Sequence, residues 1–256
     1  MKTKTVAITN QKGGVGKTTT TVNLGAALAD MGKNVLLVDM DPQGNLSVCC
    51  NAMPHEIENT IHEVLKGEAD INDTIITVER GNDNLKVLPA DIKLSAAEAD
   101  IATKPGREYV LKEKLGQLKG NFDYILIDCP PSLGILTLNA LTASDKYIIP
   151  LASEFLALYG TSQLLQVVGI VRDRIKPELD LLGVLITQHD GRKVHSREIY
   201  DQIKEHFGNK VYDTVIRANI TLTEAPSFRQ DIFTYKNASP GAEDYKALAE
   251  EFIKGA

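Results

Sequence analysis

The chain has 256 residues, of which 43% are hydrophobic and 24% are charged, an ordinary composition for a soluble globular protein. Its formal net charge of -6 excludes a protein that coats nucleic acid with its whole surface, although a local basic patch remains compatible. The three cysteines form neither a C-x-x-C pair nor a regular framework, so disulfides and zinc ligation are not expected.

Short apolar runs alternate with longer amphipathic segments along the chain. The runs have the length and composition of buried strands, and the longer segments place apolar residues at a helical period. The predicted strands are VAIT (6 to 9), NVLLVDMD (34 to 41), LKVLPA (85 to 90), FDYILIDCP (122 to 130), DKYIIPLA (145 to 152), LLGVLIT (181 to 187) and VYDTVI (211 to 216). The predicted helices cover 17 to 31, 107 to 118, 158 to 174, 195 to 206 and 241 to 253.

This alternation predicts an α/β fold, with a mostly parallel, twisted sheet of about seven to eight strands and helices on both faces. We expect one domain over residues 1 to 256, with the polar segment 42 to 80 as an excursion on its surface. The N-terminus runs directly into a strand, without an apolar stretch suited to a signal peptide or a membrane span, so a cytoplasmic protein is expected. Ligands of such sheets bind beyond the carboxyl ends of the strands.

A glycine-rich loop, QKGGVGKTT, follows the first predicted strand and opens the first long helix. Gly13, Gly14 and Gly16 allow the backbone to approach phosphate oxygens, and the helix N-terminus directs free N–H groups at them. We expect Lys17 to reach the β- and γ-phosphates and Thr18 to bind Mg2+. The predicted cofactor-binding residues of this P-loop are Gly13, Gly14, Val15, Gly16, Lys17, Thr18 and Thr19.

Carboxylates end two of the predicted strands. Asp39 and Asp41 lie two positions apart at the end of NVLLVDMD, and therefore on the same side of the pleat. Asp128 ends the hydrophobic run YILID, the pattern of a Walker B element that places a carboxylate on magnesium, usually through water. Such carboxylates are costly unless they are solvated, paired or near a cation. A Mg-nucleotide site supplies that cation, and a simple strand-end cap is the alternative for Asp39 and Asp41.

The loop carries a second lysine, Lys12, which a single triphosphate served by Lys17 does not require. In KGGVGKT this lysine matches the deviant Walker A motif, and the chain resembles the ParA/MinD family of P-loop ATPases, closest to its Soj/ParA chromosome-partitioning branch. Gln11 stands where a standard loop opens with glycine, a position that varies in the deviant motif. The resemblance implies that Lys12 reaches the nucleotide of the other subunit in an ATP-dependent sandwich homodimer. Such a lysine acts like an arginine finger.

The same resemblance implies roles for other residues. Asp41 matches the residue that positions the attacking water, and Glu154 matches an acid that positions the extra lysine, although a surface carboxylate is the alternative for Glu154. The segment 216 to 227, IRANITLTEAPS, resembles the family's adenine-side loop, which makes Asn219 and Pro226 candidate base contacts. The implied catalytic residues are Lys12, Lys17 and Asp41, and the implied metal-site residues are Thr18, Asp39 and Asp128.

The family divides by the surface on which its ATP-bound dimer docks. The tail AEDYKALAEEFIKGA mixes acidic and basic residues, so membrane docking through a basic amphipathic helix is not expected. Arg192 in HDGRK matches the family's DNA-contacting arginine, whereas Thr221 stands where a second family arginine is common. The candidate DNA-binding residues are Arg192, Lys193 and Arg217, and a solvated charged face is the alternative interpretation.

These motifs indicate a switch ATPase that uses ATP and Mg2+, dimerises, binds DNA without sequence preference and associates with the nucleoid until hydrolysis resets it. The resemblance further implies a ParB/Spo0J-like partner that stimulates hydrolysis during chromosome or plasmid partitioning. One alternative is a metabolic ligase on the same fold, similar to dethiobiotin synthetase, for which we find no second set of substrate-binding residues. Another is a ParA-like ATPase with a protein cargo and no DNA binding.

Overall fold

The structure, a computed structural model, describes residues 3–53, 55–118, 122–154 and 160–256. Its strands are β1 (Lys4–Ile8), β2 (Val35–Asp39), β3 (Ile76–Thr77), β4 (Leu85–Leu88), β5 (Tyr124–Asp128), β6 (Lys146–Ala152) and β7 (Asp180–Thr187). Its α-helices are α1 (Lys17–Asp30), α2 (Asn45–Cys49), α3 (Ile61–Lys66), α4 (Ile71–Thr74), α5 (Leu94–Ala102), α6 (Val110–Leu115), α7 (Ile135–Ala143), α8 (Thr161–Arg174), α9 (Val194–Phe207), α10 (Ile220–Glu224), α11 (Ile232–Lys236) and α12 (Pro240–Gly255).

The described strands form one seven-stranded sheet in the order β3-β4-β2-β5-β1-β6-β7. All neighbours are parallel except β3 and β4, which pair antiparallel at one edge. In the register of the central strands, Asp128 pairs with Ile8 on one side and with Asp39 on the other. The carboxyl ends of β1, β2 and β5 are therefore level, as the predicted mostly parallel α/β sheet requires.

Apolar residues cover both faces of the sheet and form two cores. Alternate residues of β2 and β5, such as Leu37 and Leu126, pack with residues of α1 and α12. The intervening residues, such as Leu36 and Ile127, pack with α3, α5 and α7 on the opposite face. Because side chains alternate along a strand, Asp39 and Asp128 point to the face that carries α1. Among the described residues, no helix has both the length and the apolar character needed to cross a membrane.

The prediction of a strand over 211 to 216 is wrong. This segment runs beside β7 with only isolated pairings, Val184 with Val211 and His189 with Arg217. Between them, the backbone N–H groups of Asp213 and Thr214 donate to the Glu251 carboxylate of α12, at 2.8 and 3.0 Å. These groups are thereby removed from the ladder, so a regular strand does not form.

The predicted surface excursion over 42 to 80 is also corrected. It contains α2, α3, α4 and the edge strand β3, and several of its side chains lie in the cores, including Leu46, Ile61 and Val64. The segment is rich in polar residues because short helices alternate there with turns. In the helix predicted over 158 to 174, residues 158 and 159 lie outside the described residues, and the helix is described from Thr161. Its buried side includes Leu164, Val168 and Val171, as the sequence pattern predicts.

A glycine fixes the approach of α2 to β4. Gly44 has a φ of 63°, and a Cβ atom there would lie 2.9 Å from the backbone oxygen of Ala90. Gly32, which follows α1, has a φ of 76°, but a Cβ atom there would meet nothing within 4 Å. The two glycines share the left-handed conformation, and only Gly44 lacks space for a side chain.

We therefore expect Gly44→Ala to destabilise the protein more than Gly32→Ala. The left-handed conformation costs about 1 kcal/mol in either variant. Gly44→Ala adds the displacement of backbone, for a total loss of about 3 kcal/mol. Urea denaturation of the two variants measures this difference directly, and equal losses would show that α2 shifts freely away from β4.

Candidate active site

An open cleft of about 1320 Å3 lies beyond the carboxyl ends of the strands. One wall is the glycine-rich loop with the start of α1, and the other comes from residues 216–226 with Tyr245 of α12. The cleft brings together the predicted site residues Gly13, Gly14, Gly16, Lys17, Thr18, Thr19, Asp41, Glu154, Lys193, Arg217, Asn219 and Pro226. The predicted residues Lys12, Val15, Asp39, Asp128 and Arg192 lie outside its lining.

The loop presents its backbone to the cleft. Gly14 and Gly16 adopt the left-handed conformation, with φ values of 73° and 87°, and a Cβ atom added at Gly13 or Gly14 would meet nothing within 4 Å. Val15 is buried, and its carbonyl accepts a hydrogen bond from Thr187 Oγ1 at 2.9 Å. The side chain of Val15 therefore anchors the loop, and only its backbone is available to a ligand.

The structure separates the two loop lysines. Lys17 is buried, and its Nζ donates to the carbonyl oxygen of Lys12 at 3.2 Å. Burial lowers the pKa of Lys17 from its ordinary value, against the opposing effect of the Asp128 carboxylate. Lys12, by contrast, is 38% exposed and its Nζ donates to Glu154 Oε2. The two lysines are five residues apart in one loop, but their ammonium groups lie in different surroundings and have different acceptors.

Asp128 connects β5 to the first turn of α1. Thr18 Oγ1 donates to Asp128 Oδ2 at 2.6 Å, and Thr21 Oγ1 donates to Asp128 Oδ1 at 3.4 Å. Burial raises the pKa of Asp128 well above its ordinary value, and the neighbouring Asp39 raises it further. A second carboxylate beside this buried one makes the position favourable for a cation.

Asp39 organises the segment that follows β2. Its Oδ1 accepts a hydrogen bond from the N–H of Asp41, and its Oδ2 accepts from the N–H and the hydroxyl of Ser47. Ser47 Oγ in turn accepts from the N–H of Ala90 at 2.8 Å, which joins α2 to the end of β4. Burial raises the pKa of Asp39 to about 6. Both carboxylate oxygens of Asp39 thus already accept hydrogen bonds from the protein. Its predicted place near the metal therefore depends on its neighbour Asp128.

Asp41 lines the cleft and Asp39 does not, because Asp41 lies two residues beyond the end of β2. The Oδ1 of Asp41 accepts a hydrogen bond from the N–H of Gln43 at 3.0 Å. The N–H of Gly44 donates to the Asp41 backbone oxygen at 2.9 Å, which closes a tight turn around this carboxylate. The turn fixes Asp41 in the lining of the cleft that the phosphate loop also lines.

Two contacts of the loop were not predicted from the sequence. Besides Thr187, Gln188 reaches the loop, with its Nε2 donating to the Gly14 oxygen at 2.6 Å. Gln188 has a φ of 53°, a left-handed conformation that is uncommon for a residue with a side chain. The only signal in the sequence is a polar pair directly after a predicted strand, in TQHDG, which is too common a pattern to indicate a loop contact.

On the opposite wall, Asn219 caps α10 and retains an unused donor. Its Oδ1 accepts from the N–H and the hydroxyl of Thr221, while its Nδ2 is buried without a hydrogen-bond partner. Thr221, at the position where the family often has arginine, is thus a buried partner of the cap. Pro226 lines the same wall. An unpaired amide donor beside the cleft suits a ligand with hydrogen-bond acceptors.

The three candidate DNA-binding residues differ in their surroundings. The Arg192 side chain is 91% exposed, and its Nε and Nη2 donate to Asp190 at 2.9 and 3.1 Å. Lys193 is also exposed, at the rim of the cleft. Arg217 is held by α12, because its guanidinium donates to Asp244, to Glu243 and to the Pro240 carbonyl. The DNA prediction therefore depends mainly on Arg192 and Lys193.

These features fit a magnesium nucleotide. The open backbone at Gly13 and Gly14 and the N-terminus of α1 suit phosphate oxygens. Thr18 Oγ1 and the Asp128 carboxylate supply the oxygen ligands that Mg2+ prefers. Asn219, whose buried Nδ2 has no hydrogen-bond partner, lines the same cleft on the other wall. The residues present can hold the phosphates, the metal and the nucleoside of one nucleotide.

Comparison with known proteins agrees with this geometry. The family model of an AAA domain matches residues 3–181. The sporulation initiation inhibitor protein Soj of Bacillus subtilis is 49% identical over 97% of this chain and 97% of its own length. The chromosome partitioning protein ParA of Caulobacter vibrioides is 43% identical over 98% of this chain and 94% of its own. The chain belongs to the ParA/MinD family of P-loop ATPases.

A solved structure supports the same fold. It is described as cobyrinic acid a,c-diamide synthase from Mycobacterium smegmatis with bound ADP and magnesium, and it superimposes with a TM-score of 0.86 at 38% identity. The match covers 99% of this chain and 95% of that one. The predictions of an α/β P-loop fold and of an ATPase of the ParA/MinD family are confirmed, whereas the roles of individual residues stay predictions.

Proposed function

We propose that this ParA/MinD-family protein is a Mg-ATP-dependent switch that dimerises with ATP, docks on DNA without sequence preference and is reset by hydrolysis. The observation that carries the proposal is the separation of the two lysines. Lys17 is buried within the loop, whereas Lys12 lies outside the cleft lining and donates to Glu154 at the cleft. A site that used only its own residues would have no use for a second lysine in that position.

Within one subunit, the buried residues bind and orient the nucleotide. Lys17 neutralises the β- and γ-phosphates, and the backbone N–H groups of Gly13 to Thr19 surround them. Thr18 and Asp128 hold the metal, with Asp39 fixing the neighbouring segment. Bound magnesium neutralises negative charge on the phosphate oxygens. Asp41, fixed by its turn at the edge of the cleft, orients the attacking water.

Across two subunits, Lys12 completes the site of the partner copy. Its contact with Glu154 keeps the ammonium group at the surface and preorients it, which lowers the entropy lost when it meets a second nucleotide. Positive charge placed at the transferred phosphoryl group stabilises the transition state, so hydrolysis depends on dimerisation. One nucleotide pair shared by two subunits gives each lysine a separate task.

The proposed role in partitioning is based on the relatives of the chain. Soj and ParA, at 49% and 43% identity over nearly the whole chain, are the basis for proposing chromosome or plasmid partitioning as the process. In this proposal Arg192 and Lys193 contact DNA phosphates, and a ParB-like partner stimulates hydrolysis. The protein is then associated with the nucleoid while ATP is bound, and it is released in the cytoplasm as ADP forms.

The solved structure from Mycobacterium smegmatis favours a second candidate, an ATP-dependent ligase that activates a carboxylate. The two candidates differ in what stimulates ATP turnover. A switch responds to DNA and a partner protein, whereas a ligase responds to a carboxylic acid and an amide-nitrogen donor. We prefer the switch because the identity to Soj and ParA is higher.

The first test is binding to a long DNA duplex of arbitrary sequence with ATP, ADP or no nucleotide, across salt concentrations. We expect binding only with ATP, and Arg192→Glu should weaken it at least about tenfold and reduce the log–log salt slope by about 2 for a dimer. Arg174→Glu is the matched control, because exposed Arg174 ends α8 shortly before β7 begins, at the end of the strands opposite to the cleft. Unchanged affinity and slope in Arg192→Glu would move the docking surface elsewhere.

Lys12→Ala tests the sharing of nucleotides. We expect ATP affinity to stay within about twofold, because Lys17 serves the bound nucleotide, while the ATP-dependent dimer is lost. Analytical ultracentrifugation with ATP measures the dimer, and Lys246→Ala, on the exposed side of α12, controls for loss of a surface charge. A normal dimer in Lys12→Ala would remove this lysine from the interface.

Asp41 should be needed for turnover and dispensable for assembly. We expect Asp41→Ala to slow hydrolysis by about 10²-fold or more and to accumulate an ATP-bound dimer. Asp41→Asn keeps an oxygen that accepts from the Gln43 N–H, so an equal loss in both variants assigns the effect to the carboxylate and not to the turn. Unchanged single-turnover rates would exclude Asp41 from the chemistry.

A further inference from the structure

The segment 217–231, called the second wall below, carries most of the cleft wall that lies across from the phosphate loop, and it has little structure of its own. It consists of α10, which has five residues, and a short 3-10 turn over Ala225–Phe228. Its members that line the cleft are Arg217, Ala218, Asn219, Ile220, Leu222, Thr223 and Pro226. A segment this short depends on outside contacts to keep one position relative to the phosphate loop.

Each end of the second wall is held by an arginine–aspartate pair. At the first end, Arg217 donates to both oxygens of Asp244 on α12, at 2.9 and 3.0 Å. At the other end, Asp231 is bound by Arg80, which comes from the turn between β3 and β4. The second pair joins positions 151 residues apart in sequence.

The Arg80 pair is buried and bidentate. The side chains of Arg80 and Asp231 are only 3% and 6% exposed. Nε donates to Asp231 Oδ2 at 3.0 Å and Nη2 donates to Oδ1 at 3.1 Å, while Nη1 reaches Asp30 at 2.8 Å and the Ala26 carbonyl at 3.3 Å. Every nitrogen of the guanidinium therefore has an acceptor. A planar fork fixes orientation as well as distance, which a lysine ammonium does not.

Asp231 also lies at the start of a chain of hydrogen bonds that ends at α1, the helix that follows the phosphate loop. It caps α11 by accepting from the N–H groups of Phe233 and Thr234. The next residue, Ile232, donates its N–H to Asn23 Oδ1 at 2.7 Å, and Asn23 Nδ2 donates to the Thr19 carbonyl at 2.7 Å. Thr19 lines the opposite side of the cleft. The end of the second wall is thus fixed to the helix that starts at the phosphate loop.

We propose that Arg80 is a positioning residue that sets the second wall at the distance from the phosphate loop that a nucleoside needs. The inference rests on the proposed binding of ATP in this cleft. Arg80 does not line the cleft, so it acts through Asp231 and makes no contact with the ligand. With the phosphates at the loop, the nucleoside end of the ligand lies against the second wall. Loss of Arg80 therefore weakens binding through the nucleoside and spares binding through the phosphates.

The test compares two ligands in three variants. Arg80→Lys keeps the positive charge and removes the bidentate fork, and Asp231→Asn removes the ion pair but keeps a good helix cap. Asp30→Asn is the matched control, because it removes the other carboxylate partner of Arg80, 44% exposed, and leaves Asp231 in place. Isothermal titration calorimetry gives the affinities for ADP and for inorganic tripolyphosphate, each with magnesium.

We expect Arg80→Lys and Asp231→Asn to weaken ADP binding about tenfold. This loss corresponds to a second wall that occupies its binding-competent position in about a tenth of the molecules. Tripolyphosphate affinity should change less than about twofold, and Asp30→Asn should resemble the parent protein for both ligands. Equal losses for ADP and tripolyphosphate, or unchanged ADP affinity in both variants, would overturn the proposal.

Hydrogen exchange of the ligand-free protein gives an independent readout. Amides of 218–231 should exchange faster in Arg80→Lys and Asp231→Asn than in Asp30→Asn, while amides of α1 keep the parent rates. Uniformly faster exchange would mean loss of global stability and would contradict a positioning role. If the parent protein bound neither ATP nor ADP, the proposed function would fail, and the exchange data would still decide whether Arg80 holds the wall.

Discussion

The geometry of the site depends on the buried Asp128 carboxylate and on the hydrogen bond that it accepts from Thr18. The carboxylate lies between Asp39, its register partner on β2, and the first turn of α1, where Thr18 donates to it. Side chains alternate along a strand, so a shift of one residue in β5 would turn Asp128 toward the other core and replace it with an apolar neighbour. The register of the three central strands thus determines whether Asp128 and Asp39 lie side by side at the proposed metal site.

The same carboxylate imposes a condition on the loop. Burial raises the pKa of Asp128 and lowers the pKa of Lys17. Burial therefore disfavours the charged form of each group unless an opposite charge lies nearby. Lys17 supplies positive charge to the carboxylate. In the proposed complex a divalent cation would add to that charge, and phosphates would supply negative charge to Lys17. The site therefore reaches electrostatic balance as a complex, which favours a protein whose conformation follows its nucleotide.

The sequence predicted the parts of the site that are contiguous in the chain. The phosphate loop is one strand, one loop and one helix, so its spacing alone indicates its geometry, and the carboxylates of β2 and β5 are indicated by their place at strand ends. Contacts between distant segments could not be predicted. The strand expected over 211 to 216 is interrupted by Glu251, and Arg217, a candidate DNA-binding residue, is paired with Asp244. Both partners belong to α12, whose charged residues look like an ordinary exposed face in the sequence.

Charge distribution limits how such a protein can dock on DNA. The chain carries a net charge of -6, and of the three predicted basic residues Arg217 is neutralised by α12 while Arg192 shares Asp190. The three candidate residues of one subunit thus offer few cations to phosphates, and electrostatic affinity rises steeply with the number of phosphates neutralised. A second subunit doubles that number in one binding event. In the proposed cycle, dimerisation is therefore what raises the affinity above the threshold for docking, and the low charge of a single subunit ensures its release.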